Sequence, residues 1–257
     1  MNNILVFIPA RGGSKSIPNK NIKILGDKPL IAWSINSAFK AGLQRVIVNT
    51  DSEEIAKVAK EYGAEVQIRP KNLGKDTTSM FEVLRSEIPK IEPKPDLVLL
   101  LQPTSPFRKS VHIKTAISYL TENLDKYDCL VSVNRIPNKY HPAEAIISIQ
   151  NGKGMVMGKL ITLKDKIKSY FTGIKYTEPC LSGVPISQRL TRRQDYPDAW
   201  VPSGEIYLFR PENLKKGSIY GENVLLLETE ESVNINELSD WEIAENYVKE
   251  KYAKGNL

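Results

Sequence analysis

The sequence predicts an α/β fold in which a mostly parallel, twisted sheet carries helices on both faces. The first half of the 257 residues alternates short apolar runs with segments of helical periodicity, as βαβ units do. One run, 96–102, is almost wholly apolar, which is typical of a central parallel strand. A basic turn with two adjacent glycines follows the first apolar run, where sheets of this class bind ligands.

The elements of the first half follow from their apolar spacing and their boundary residues. Strands are predicted over 4–8, 45–50, 65–69, 96–102 and 128–134. Helices are predicted over 29–41, 53–62, 77–88 and 110–123. Ser52 precedes the helix 53–62 as a candidate N-cap and Gly63 ends that helix, whereas Gly42 ends the helix 29–41. Because the carboxyl ends of parallel strands meet at one edge, Arg11, Asp51, Arg69 and Gln102 are expected to share a crevice.

The second half begins differently and then returns to the α/β pattern. Residues 144–158 indicate a β-hairpin around Asn151–Gly154, and 159–187 show turn residues without a clear period. After Pro202, strands are predicted over 205–209, 224–227 and 232–235, and a final helix over 240–251.

Composition excludes several classes of function. The net charge of +6 is spread along the chain without a long Lys/Arg block, so a nucleic-acid partner is not expected. No apolar run approaches the length of a membrane span, and no membrane partner is expected. Cys129 and Cys180 are far apart and lack metal spacing, which favours free thiols in a reducing compartment. With a strand starting almost at the N-terminus and no room for a signal peptide, we expect a cytoplasmic protein.

The turn after the first strand is the strongest candidate for a phosphate site. Its glycines allow backbone N–H groups to approach an anion, and three cations lie within ten residues. It matches neither the Walker pattern nor the dinucleotide fingerprint. The alternative is a tight strand–helix turn with solvated lysines. The candidate nucleotide contacts in this loop are Ala10, Arg11, Gly12, Gly13, Ser14, Lys15, Lys20 and Asn21.

Two further segments decide between these interpretations. Residues 99–108 read LLLQPTSPFR, and residues 192–197 read RRQDYP, followed by PSGEIY at 202–207. Together with IPARGGSKSIPNKN at 8–21, they resemble the acylneuraminate cytidylyltransferases, which are CMP-sialic acid synthetases and their relatives for other nonulosonic acids such as legionaminic acid. The resemblance extends from Ile4 to about Tyr247.

The resemblance implies an enzyme with a Rossmann-like nucleotidyltransferase fold, forming a single domain over 1–257. A β-rich arm at about 140–200 would exchange with a second subunit, so a homodimer is expected. The implied reaction condenses CTP with a nonulosonic acid to give the CMP-sugar and pyrophosphate, with Mg²⁺, or possible Mn²⁺, as cofactor. Because this transfer requires positioned cations more than covalent chemistry, Arg11, Lys20, Gln102 and Arg193 are the implied catalytic residues.

The resemblance also assigns binding roles. Arg69 and the segment Thr77, Thr78 and Ser79 would lie at the cytosine base, whereas Gln102, Arg193 and Tyr207 would face the sugar acid. Three alternatives stay open on the residues alone. Arg69 is also typical of a salt-bridged strand end, 76–79 of a helix N-cap with Thr77 in the first turn, and Tyr207 of core packing. His141 is taken as a loop residue without a proton role.

The chain departs from the family pattern where the metal is expected. Asn234 and Asn236 replace two aspartates, Ser203 replaces an asparagine, and Glu205 replaces an alanine. An amide oxygen brings no negative charge to Mg²⁺, so Glu205 is a candidate for the missing carboxylate. The metal could instead be held mostly by the triphosphate, the acid could differ from sialic acid, or the enzyme could be weak or inactive. The competing functions are a nucleotidyltransferase for another acid or a sugar phosphate, and a non-catalytic CTP-binding module.

Overall fold

The computed structural model describes residues 2–136, 146–149, 153–160, 181–185 and 199–253. The described strands are β1 (Ile4–Pro9), β2 (Ile24–Leu25), β3 (Lys28–Pro29), β4 (Val46–Thr50), β5 (Glu65–Ile68), β6 (Leu97–Leu100), β7 (Cys129–Arg135), β8 (Ile146–Ile149), β9 (Lys153–Leu160), β10 (Leu181–Pro185), β11 (Trp200–Phe209) and β12 (Val224–Glu228). The described helices are α1 (Leu30–Lys40), α2 (Glu53–Glu61), α3 (Met80–Glu87), α4 (Ser110–Thr121) and α5 (Leu238–Ala253).

Seven strands form the main sheet, in the order β12-β7-β11-β6-β1-β4-β5. Only β11 runs antiparallel to its two neighbours in this sheet, and the other pairs are parallel. The carboxyl ends of six strands and the amino end of β11 therefore share one side, which we call the carboxyl edge. The predicted fold class is confirmed.

Helices cover both faces because β1 is apolar on both sides. Val6 and Ile8 belong to the core beneath α1 and α4, whereas Leu5 and Phe7 pack on the opposite face with α3. A third cluster joins the first loop to α5. It contains Ile17, Leu30, Trp33, Ile235 and Trp241. This cluster seats the segment after β12 beside the first loop, which matters for the site.

Capping interactions explain where two helices begin, including one that begins later than predicted. The Ser52 hydroxyl accepts a hydrogen bond from the Ile55 N–H, as predicted for an N-cap. The predicted helix 77–88 is shorter and begins at Met80, because Ser79 and Glu82 form a capping box. The cap is therefore Ser79, and Thr77 is not in the first turn.

The predicted strand 232–235 is wrong, since those residues belong to no strand of the described part of the chain. Its alternating pattern has another cause. Ile235 is buried in the third cluster, and its N–H donates to the Thr104 carbonyl oxygen at 2.7 Å.

The middle of the chain contains a separate sheet. β8 and β9 form the predicted hairpin, and β10 adds a third antiparallel strand, in the order β10-β9-β8. β10 lies in the stretch without a clear period. Among the described helices, none is both long and apolar enough to span a bilayer.

Candidate active site

The first loop presents a compact set of cations at the carboxyl edge. Arg11 and Lys15 both form ion pairs with Asp76, the latter at 2.7 Å. Lys15 is the most exposed of these side chains, at 84%, whereas Arg11 and Asp76 are about one third exposed. The Lys15 hydrogen bond is the main cause that lowers the pKa of Asp76, with Arg11 adding to it. The segment before α3 therefore lies over the first loop, as the resemblance implies.

Lys20 joins this set from a 3₁₀ turn, Lys20–Ile22. Its Nζ donates to the Ile235 carbonyl oxygen at 3.0 Å, which fixes the ammonium group beside the segment after β12. Burial is the main cause that lowers the pKa of Lys20, nearby Arg11 lowers it further, and Asp240 opposes both. A cation that is partly desolvated and crowded by another cation is poised to receive an anion.

Asn21 closes the loop from inside. Its side-chain amide donates to the Arg11 carbonyl oxygen at 2.9 Å, and the residue is buried. The preceding Asn19 adopts a left-handed conformation, with φ of 52°, which its short polar side chain tolerates. The described structure thus gives Asn21 a loop-shaping contact, and its predicted contact with the nucleotide stays a prediction.

Asp51, at the end of β4, links the loop to Arg69. Its Oδ1 accepts from the Gly12 N–H at 3.1 Å and lies 3.5 Å from Arg69 Nη2. Arg69 is buried, and burial is the main cause that lowers its pKa, whereas Asp51 raises it. Its Nε has no hydrogen-bond partner among the described residues. The salt-bridged strand end is thus present, and one buried donor stays available for a ligand.

We expect the Gly74→Ala substitution to disturb this link more than an ordinary loop substitution would. A Cβ built on Gly74 would lie 2.2 Å from Asp51 Oδ2, so Asp51 or the 71–74 turn must move. The apparent Kd for CTP should rise about tenfold, since the Gly12 amide and Arg69 lose their shared acceptor. Calorimetric titration with CTP measures this. Asn72→Ala is the control, because it removes an exposed side chain from the same turn, and equal effects of the two would contradict the prediction.

Gln102 follows β6, and its backbone is fixed by a buried arginine. Arg108 Nη2 donates to the Gln102 carbonyl oxygen at 2.9 Å and Nη1 donates to Ser34 Oγ at 3.2 Å. Arg108 Nε donates to the Glu205 carbonyl oxygen. Burial lowers the pKa of Arg108 to about 10, and Glu205 opposes that shift, so the guanidinium remains charged at neutral pH. This network connects the loop after β6 to β11.

β11 is interrupted where it passes Ser132 of β7. Its register with β7 shifts between Pro202 and Tyr207, and Ser132 Oγ accepts from the Ile206 N–H at 2.8 Å. Gly204 adopts a φ of +79° in this bulge. The extra residues place Glu205 in a buried position, with Oε2 3.8 Å from His112 Nδ1 on α4. The bulge explains how a glutamate can occupy an otherwise apolar strand.

The remaining predicted residues lie in three places. Tyr207 packs in the core on the α3 side against Tyr220, and burial raises the pKa of Tyr207 to about 12. Asn234 and Asn236 flank Ile235, the acceptor for Lys20, with Asn236 exposed. Asp240 is in the first turn of α5, where Oδ2 accepts from the Asn236 and Glu237 N–H groups at 2.8 and 2.9 Å.

Other predicted contacts are placed less closely. Ala10 is buried at the end of β1, Ser14 lies in the first loop, and Thr77 and Thr78 precede the α3 cap. The Ser79 hydroxyl is occupied by the capping box, which confirms the helix-cap interpretation of this segment and leaves its nucleotide role a prediction. Arg193 and His141 lie outside the described residues.

Three residues of the site had no predicted role: Asp51, Asp76 and Arg108. The sequence did carry a signal for two of them. Asp51 follows a predicted strand, and Asp76 directly precedes Thr77 in the segment that resembles the family. Arg108 closes the LLLQPTSPFR run, yet nothing in the local pattern distinguishes a buried arginine from an exposed one.

Fold and site together define a class. A mostly parallel sheet with a glycine-containing cationic loop at its carboxyl edge is the arrangement by which α/β proteins hold nucleotide phosphates. The cytidylyltransferase family model matches residues 5–154, more than half of the chain. The chain belongs to the cytidylyltransferase family.

Curated relatives agree with that assignment. The chain is 31% identical over 260 residues to the post-translational flagellin modification protein B of Campylobacter coli, covering 98% of this chain and 97% of that protein. It is 45% identical over 133 residues to the N-acylneuraminate cytidylyltransferase of Escherichia coli O18:K1:H7, covering 51% of this chain and 31% of that protein. It is 44% identical over 119 residues to the CMP-N,N'-diacetyllegionaminic acid synthase of Legionella pneumophila, covering 44% of this chain and 51% of that protein.

The chain thus spans about a third to a half of the length of the last two relatives and nearly all of the first. Among solved structures, a CMP:2-keto-3-deoxy-manno-octonic acid synthetase complexed with CTP matches with a TM-score of 0.68 at 16% identity, covering 96% of this chain and 99% of that one. At that identity the likeness shows the fold alone.

Proposed function

We propose that the protein is a cytidylyltransferase that joins CTP to a nonulosonic acid. The anomeric hydroxyl oxygen of the acid forms a bond to the α-phosphorus, the bond from that phosphorus to the β-phosphate oxygen breaks, and pyrophosphate leaves. The hydroxyl proton passes to solvent. The observation that carries the proposal is the set of four cations, Arg11, Lys15, Lys20 and Arg69, at the carboxyl edge of a family member.

The cations would supply the electrostatic part of catalysis. Arg11 is close enough to Lys20 to lower the pKa of that ammonium group, and a triphosphate between the two cations would remove this repulsion. Asp76 pairs with Arg11 and Lys15, so a triphosphate that binds these two cations would compete with its carboxylate. Arg69 Nε is the available donor for the cytosine base.

A divalent cation is the proposed cofactor, and the residues fit it only in part. No group of three His, Cys, Asp or Glu side chains in the described residues could hold a metal ion. Asn234 Oδ1 is buried and lacks a hydrogen-bond partner in the described part, so it is one available oxygen. Asn236 is exposed at the same segment and would be a second. Such a site requires the triphosphate oxygens to complete it, with Mg²⁺ neutralising developing charge when bound and Mn²⁺ as the substitute.

The proposed contacts with the acceptor acid rest mainly on the resemblance to the family. Gln102 and Arg193 are proposed to hold the acid, with Arg193 suited to a bidentate pair with its carboxylate. We also propose that the arm at about 140–200 forms a homodimer contact within one 1–257 domain, supported by the separate β8–β10 sheet. Light scattering of the purified protein tests the dimer. A cytoplasmic location is proposed because Cys129 is a buried, free thiol.

A non-catalytic CTP-binding module is the second candidate. It is favoured by amides at 234 and 236, which bring no charge to a metal. This candidate predicts CTP binding without pyrophosphate release at any level of Mg²⁺ or Mn²⁺.

The test is a panel of pyrophosphate-release assays. CTP, UTP, ATP and GTP are each paired with N-acetylneuraminic acid, N,N'-diacetyllegionaminic acid and a sugar 1-phosphate, with Mg²⁺ and Mn²⁺ varied. We expect release with CTP and at least one of the two acids. Release only with the sugar phosphate or another nucleotide would overturn the proposal, and CTP binding without release would support the module.

A further inference from the structure

A cavity of about 430 Å³ lies at the carboxyl edge, between the start of α4, the segment after β12 and α5. We call it the α4–α5 cavity. Its lining includes Phe107, His112, Glu205, Asn234, Ile243 and Tyr247. The size and the mixture of apolar walls with a few polar groups match a small-molecule site.

Four polar atoms in this lining are buried without hydrogen-bond partners among the described residues. They are Asn234 Oδ1, which is the oxygen proposed above for the metal, and Glu205 Oε2, His112 Nδ1 and Ser232 Oγ, which are left for another ligand group. Glu205 is only 2% exposed, and its Oε2 lies 3.8 Å from His112 Nδ1, too far for a direct hydrogen bond. Leaving such groups unpaired costs free energy, so their convergence on one cavity indicates a ligand that pairs with them.

The unpaired atoms select the chemistry of that ligand. The carboxylate oxygen of Glu205 only accepts hydrogen bonds, and the hydroxyl of Ser232 and the imidazole of His112 can do so too. Glu230, Glu231 and Asp240 add negative charge to the lining, whereas Lys109 is already paired with Glu230. A phosphate or carboxylate would be repelled here, so the cavity fits a group rich in O–H and N–H donors.

The opposite wall suits carbon chains. Phe107 and Tyr247 stack with ring centroids 4.4 Å apart, and Ile243 and Val233 extend the apolar surface. A polyhydroxylated or N-acylated chain offers donors to one wall and C–H groups to the other.

One electrostatic interaction and one hydrogen-bond relay connect the cavity with Lys20 and with the loop after β6. Asp240 lines the cavity and also raises the pKa of Lys20, against the effect of burial. The Glu205 backbone is tied through Arg108 to the Gln102 carbonyl group. A substrate whose charged end faces the cations can therefore extend its other end toward Glu205.

We propose that the α4–α5 cavity binds the uncharged, donor-rich tail of the acceptor acid, and that Glu205 and His112 are its specificity-determining residues. This proposal rests on the proposed function.

The test uses Glu205→Gln and His112→Gln, with Glu242→Gln as matched control because it removes an exposed carboxylate of α5 that does not line the cavity. We expect the first two to raise KM for the accepted acid by about 10- to 100-fold, since each loses a buried hydrogen bond to substrate. KM for CTP should stay within about twofold, and the control should leave both values unchanged. His112→Gln leaves the buried Glu205 carboxylate in place near Arg108, so it remains informative where Glu205→Gln folds poorly.

Acid binding is measured separately by saturation-transfer NMR, with N-acetylneuraminic acid and N,N'-diacetyllegionaminic acid beside an α,β-methylene analogue of CTP. Acid binding that the two variants lose, without pyrophosphate release by the unaltered protein, would support the cavity and defeat the proposed function. Turnover with unchanged KM in both variants would overturn the cavity alone and indicate that water fills it. Failure of both acids to bind would also overturn it.

Discussion

Replacing Lys20 with methionine is expected to lower kcat/KM for CTP by about 100- to 1,000-fold, as loss of one preorganised charge in an enclosed site does. Methionine keeps most of the side-chain volume and removes the charge. The Lys20 ammonium is held by the Ile235 carbonyl oxygen at 3.0 Å and is partly desolvated, so it pays little reorganisation when charge develops on the phosphates. Steady-state pyrophosphate release, measured with CTP varied at saturating acid, gives the value.

Lys15→Met is the control, because it removes one positive charge from the same loop at an exposed position. Lys15 is on the same loop, is 84% exposed and pairs with Asp76, so water screens its contribution. We expect a loss below about fivefold. Equal losses in the two variants would show that the loop acts through its net charge, and would contradict a specific role for Lys20.

Local pattern was sufficient for most of the fold because most elements are apolar at the right period and end at ordinary signals. The interior of β6 and the cap at Ser52 required no long-range information. Ile235 shows where this reasoning fails. It alternates with polar neighbours as a strand residue would, but the third cluster and the Thr104 carbonyl group, 131 residues away, take the place of a neighbouring strand.

The candidate site likewise has one part that the local sequence predicts and another that depends on distant segments. The cations of the first loop are contiguous in sequence and were predicted together, since one loop holds them. The contacts that orient them come from distant segments, such as Asp51 on the Gly12 amide and Ile235 on Lys20. The position of Glu205 depends on a bulge in β11 against Ser132, and a single sequence carries no signal for that register shift.

Arg108→Met is expected to destabilise the protein by about 3–5 kcal/mol, the largest stability effect we predict. The substitution removes the Arg108 hydrogen bonds to Ser34 Oγ and to the Glu205 carbonyl oxygen, and it leaves the Gln102 carbonyl oxygen with only its longer hydrogen bonds from Ser34 and Ser105. It also leaves the buried Glu205 carboxylate without its nearby cation. For a chain of this length that corresponds to a fall in Tm of about 10 °C, which thermal unfolding followed by circular dichroism measures.

The neighbouring Lys109 provides a control that distinguishes the loss of a buried cation from the loss of an exposed one. Lys109→Met removes an exposed ion pair with Glu230 and should cost less than about 1 kcal/mol. Adding Glu205→Gln to Arg108→Met should recover part of the lost stability, because the second change removes the carboxylate that the first leaves unpaired. A Tm for Arg108→Met equal to that of Lys109→Met would contradict a structural role for the buried guanidinium. A double variant whose losses simply add would contradict a favourable interaction between Arg108 and the nearby Glu205 carboxylate.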